Sequence, residues 1–71
     1  MELKEKKKEI ITKANNLCLP EEAHKRIEKY IQNVWKIEKR AADTHKGLRK
    51  YLIAQAFEEL YKAEEILRKY E

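Results

Sequence analysis

LRKYLIAQAFEELY, residues 48–61, decides the fold. Its apolar positions Leu48, Leu52, Ile53, Ala56, Phe57 and Leu60 step three and four residues at a time, which sets them on one wide helical face. A face that wide needs other segments to cover it. The sequence on the N-terminal side supplies two, each amphipathic at helical period. The expectation is an all-α chain, a three-helix antiparallel (up-down-up) bundle forming a single domain over residues 1–71, with helices at about 2–17, 20–41 and 46–70.

Working outward, the third helix continues past Tyr61 through Ala63, Leu67 and Tyr70, with Glu58–Lys62, Glu64–Arg68 and Glu65–Lys69 as supporting i,i+4 pairs. Upstream, residues 42–47 read as a turn, where Asp43 or Thr44 can cap the next helix. Gly47 marks either that turn or a weak first helical turn, and one unbroken helix over 20–70 is the competing reading. The second helix carries Ala23, Ile27, Tyr30, Val34, Ile37 and Ala41 as its seam, widened by Ile31 and Trp35. Pro20 suits its first position, and Glu21 and Glu22 suit the positive end of its dipole. In the first helix, Leu3, Ile10, Ala14 and Leu17 form the stripe, with Ile11 beside it and the stem of Lys7 filling the gap. Glu2–Lys6 and Glu9–Lys13 are its i,i+4 pairs.

Composition narrows the function classes. Charged residues make up 42% of 71 positions and the net charge is +4, a bias that permits an anionic partner without demanding one. One cysteine precludes an intrachain disulfide and a four-thiolate zinc site, and the absence of serine removes every serine nucleophile. No stretch approaches the ~20 apolar residues of a membrane span, and the lysine-rich start lacks the apolar segment of a signal peptide. The expected setting is therefore soluble and cytoplasmic, with no membrane partner.

Candidate chemistry is sparse. Cys18 lies between Leu17 and Leu19, which reads as a small buried hydrophobe. His24 beside Glu28, and His45 near Asp43, read as surface histidines at opposite ends of a bundle rather than converging metal ligands. The paired glutamates Glu58/Glu59 and Glu64/Glu65 read as solvated faces, and Tyr30, Tyr51, Tyr61, Tyr70 and Trp35 as core edges rather than a base-stacking platform. Two features remain. Lys36, Lys39, Arg40, Lys46, Arg49 and Lys50 crowd the second turn, a cluster able to neutralise phosphates. Trp35 reads first as a bundle-edge residue, and is the aromatic expected at a protein interface if the chain has one.

Asn16-Leu17-Cys18-Leu19-Pro20 and the helix after it resemble the opening of a cyclin-like repeat of transcription factor TFIIB and its archaeal counterparts. The likeness covers about half the chain, over residues 10–37, and continues loosely into Ile53-Ala54-Gln55-Ala56. It implies a short helix, a turn, an aromatic-edged helix and a buried third helix, in a protein that contacts DNA. The sequence departs from the pattern at Ala42-Asp43-Thr44, where the family has a Gly-Arg-Ser-like turn. Nothing after Tyr70 supplies the family's fourth and fifth helices, so a complete cyclin fold is not expected. The dense Glu-before-Lys pairing also suits a designed or thermophilic bundle, although the lone Cys, the Asn-Asn pair and the imperfect caps do not suit design.

No nucleophile–base pair or metal set can be assembled, so no enzyme, cofactor or small-molecule substrate is expected. The functional expectation is a non-enzymatic helical interaction module or scaffold, with a protein partner or self-association. Its alternative is a TFIIB-like DNA-binding module that uses the basic cluster.

Overall fold

The computed structural model describes residues 2–71, and among them forms α1 (Leu3–Asn16), α2 (Glu21–Ala42) and α3 (Lys46–Arg68), with no strand. Lys6 of α1 meets Glu64 of α3 and Lys13 meets Glu71, equal steps in the same direction, so α1 runs parallel to α3. At the first turn Pro20 and Ala23 lie beside Ile66 and Tyr70; at the second Arg49 reaches Ala41. That sets α2 antiparallel to α3 and gives the up-down-up order.

The turns follow from what the helix ends leave unpaired. α1 stops where Leu17 becomes extended, its N–H still donating to the Lys13 carbonyl. Extended backbone alternates sides, so Leu17 and Leu19 lean on the core while Cys18 faces solvent. The expectation of a buried Cys18 is thus corrected. Pro20 is the residue before α2 rather than its first helical one, and its carbonyl accepts the His24 N–H at 3.0 Å.

At the second turn, the Thr44 hydroxyl donates to the Arg40 carbonyl at 2.5 Å and Arg49 Nε–H donates to the Ala41 carbonyl at 3.0 Å. Two carbonyls at the end of α2 gain partners in this way. The cap of α3 is neither Asp43 nor Thr44 but His45, whose Nδ1 accepts the Gly47 N–H at 3.4 Å. Thr44 is unavailable because its hydroxyl is turned back to α2. Gly47 sits in the first turn of α3 without a positive φ. Residues 43–45 leave the helix, so the single long helix is not formed.

Ile10, Val34, Leu60 and Leu67 are fully buried, and Ala14, Ala56 and Ala63 let the backbones approach between them. In α3 the buried row is Ala56, Leu60, Ala63 and Leu67, displaced toward the C-terminus from the 48–61 face. Leu48 is 58% exposed. The cause is length: α1 has 14 residues and α3 has 23, or about 21 Å against about 34 Å at 1.5 Å per residue. α1 is too short to cover all of α3: its first residues, Glu2, Leu3 and Lys4, border a hollow with Ala41, Arg49 and Ile53, and Leu48 lies outside it. The radius of gyration, 12.7 Å, accordingly exceeds the roughly 11 Å of a compact chain this long. No helix among the described residues is long and apolar enough to cross a membrane.

The lysine that lines the core is Lys6, not Lys7. Its ammonium pairs with Glu64, whereas Lys7 reaches Glu38 of α2 at 2.6 Å.

Candidate functional site

The six cations at the second turn divide into two triads. Lys36, Lys39 and Arg40 are spaced i, i+3, i+4, half a turn or so from the buried Val34 and Ala41, on the outer side of α2. Lys46, Arg49 and Lys50 have the same spacing on α3, but Arg49 shares the side of the buried Ala56 and Leu60. The triads therefore face different ways. Arg49 is half-buried and holds the Ala41 carbonyl, which gives it a structural task. Lys39 lies with Nζ 3.9 Å from the centroid of the Trp35 ring, and Lys50 5.4 Å from that of Tyr51. Lys36 and Arg40 border a shallow polar hollow with Asn33, Gln55 and Glu59. Tyr51, Tyr61, Tyr70 and Trp35 are all exposed, so none of them is the core edge expected of it; Tyr30 is, half-buried against the core.

Trp35 is 53% exposed and stands one turn beyond Ile31 on the same side of α2. That side faces α1. The two helices scarcely touch, because each packs chiefly on α3. Between them runs an open groove of about 370 Å³, walled by Ile11 and Ala14 from α1 and by Ile27 and Ile31 from α2. His24 and Glu28 close one end, with His24 Nε2 3.2 Å from the Glu28 carboxylate. At the other end the Lys7–Glu38 ion pair bridges the helices near Trp35.

On α1, Lys4 and Lys8 lie in one stripe with Ile11, at steps of four and three, outside the residues that wall the groove. Both are exposed, and neither has a carboxylate within ion-pair distance among the described residues. The periodicity of the chain marked Ile11 and Ile31 as flanks of their seams but not as facing walls.

Lys6 and Glu64 pair between α1 and α3 with both side chains largely shielded from solvent. A hydrogen bond from Lys6 holds the Glu64 carboxyl below the usual carboxylate range, with the Lys6 charge, Arg68 and Lys13 acting in the same sense. The same bond to Glu64 holds the Lys6 ammonium above its usual value, against the opposing effect of burial. Among the described residues no three His, Cys, Asp or Glu side chains come together as a metal set would. Cys18, His24 and His45 are dispersed along the chain, with His45 engaged as a cap. Comparison with protein-family models, curated proteins and solved structures gives no match to the chain.

Proposed function

We propose that this is a non-enzymatic helical interaction module whose recognition surface is the α1–α2 groove and the Trp35 beside it. The observation that carries this reading is the open apolar seam. In a bundle built for itself alone, α1 and α2 would close on each other. Here Ile11, in one wall of the open channel, is 39% exposed, and Trp35, one turn beyond Ile31 of the other wall, is 53% exposed. A half-exposed Trp next to a concave aliphatic wall is the arrangement found at the centre of protein interfaces.

Panning a displayed library of random helical peptides on the protein tests this directly. Enriched binders that lose affinity for the Trp35→Ala and Ile11→Asp variants are expected. Failure to enrich any binder, or binders indifferent to both substitutions, would overturn the reading.

Nucleic-acid binding by the second-turn cations is the second reading. It is favoured by the stacking of Lys39 and Lys50 on exposed aromatic rings, an alternation of charge and π-face suited to single strands and phosphates. Its support is thinner because the two triads diverge and Arg49 is engaged. A labelled duplex and a labelled single strand, titrated at about 50 and 200 mM salt, test it. Lys39, Lys46 and Lys50 are the positions to reverse, since reversing Arg49 would disturb the turn itself. Affinity that collapses with salt and vanishes in the triple reversal is the expected signature; no binding at low salt sinks this reading.

A further inference from the structure

We infer that the partner is an acidic amphipathic helix, which lies in the α1–α2 groove and completes a four-helix bundle. This rests on the interaction reading above and adds to it the chemistry of the occupant. Two helices that share α3 as a neighbour but leave each other uncovered define three corners of a square. A helix laid along their open side would touch both. The stripe from Lys4 to Asn15 on α1 is about 16 Å long, so the docked segment needs about three turns. Its apolar residues, spaced i, i+3, i+4, i+7, would meet Ile11, Ile31 and Trp35.

Charge selects among possible occupants. Of the two carboxylates that border the groove, Glu38 is engaged by Lys7, and Glu28 lies 3.2 Å from His24, which offsets its charge only when protonated. Three cations without an ion-pair partner among the described residues lie along the groove: Lys4 and Lys8, in line with Ile11 on α1, and Lys39 on α2, whose ammonium sits on Trp35. Glutamates on the flanks of an incoming helix would meet them, and a basic helix would be repelled. A second copy of this chain is a poor occupant. Its net charge is +4, and symmetric pairing of this surface would bring Lys4 and Lys8 against their own counterparts.

The test uses two labelled synthetic helices with identical leucine positions, one with glutamate and one with lysine at every flanking site. Fluorescence anisotropy gives their affinities, and the emission of Trp35, the only tryptophan, reports contact at the groove. The acidic helix should bind at least about tenfold more tightly, with a blue shift of Trp35. The preference should invert in the Lys4→Glu, Lys8→Glu double variant. Both sites are exposed, and an unchanged circular dichroism spectrum would verify its fold. Ile11→Asp should weaken either helix and so place the contact.

Equal binding of the two helices at the groove would overturn the acidic partner and leave the interaction module standing. Binding that Ile11→Asp does not affect would also overturn it. If neither helix binds, the acidic partner falls, and the library selection decides separately whether the groove recognises anything. Concentration-dependent dimerisation abolished by Ile11→Asp would replace the partner with a second copy.

Discussion

Leu48 and Leu60 belong to one amphipathic stretch, yet one is 58% exposed and the other fully buried. Truncating them should separate the two environments. Leu60→Ala is expected to lose about 2–5 kcal/mol of stability in urea unfolding, through lost transfer energy and the cavity left behind. Leu48→Ala should stay within about 0.5 kcal/mol. Lys6 and Glu64 give a second residue-scale expectation. Their side chains are only 11% and 16% exposed, so the pair is poorly screened. Replacing Glu64 with Gln should cost about 2 kcal/mol near neutral pH, as charge-assisted bonds of this kind do. Because folding lowers the Glu64 pKa, that stabilisation is present above its unfolded pKa and is lost as pH falls through the folded one. Because folding raises the Lys6 pKa, the stabilisation is also present below the unfolded lysine value and fades as pH rises through the folded one. Unfolding midpoints of wild type and Glu64→Gln should therefore converge at both ends of the pH range, and parallel profiles would refute the coupling.

At the scale of the elements, α3 begins weakly. Gly47 lies in its first turn with an ordinary helical φ, and an added Cβ would meet only His45 Nδ1, at 3.9 Å. Gly47→Ala should accordingly stabilise the protein by about 0.5–1 kcal/mol, measured as a raised melting temperature, since it removes unfolded-state freedom without strain. The helices themselves were legible in the sequence to within a residue or two, because the apolar period of each segment is regular and Pro20 punctuates the chain. The caps were less so. Thr44 and His45 compete for the same turn, and only the geometry of Arg40 and Arg49 decides which of them serves α3. Which part of the α3 stripe would be buried was also hidden, because local spacing says nothing about how far along α3 the short α1 would dock.

For the whole molecule, sequence pattern made the number and direction of the helices readable. It placed Trp35 at an interface candidate position and drew attention to the second-turn cations. It did not reveal that α1 and α2 would stand apart, since that gap is a property of three helices together and each seam looks complete on its own. The asymmetry has a kinetic consequence. α2 and α3 are neighbours in sequence joined by a short turn, and they share the larger contact; α1 is held mainly through α3. Such a chain has a cooperative hairpin and a detachable strap, two units with separate opening energies. Native-state amide exchange should find α1 opening at lower free energy than the centres of α2 and α3, with uniform protection across all three as the contrary result. The least anchored segment would then also supply one wall of the proposed recognition surface, so that an occupant would act as a latch, slowing the exchange of α1 more than that of the helices behind it.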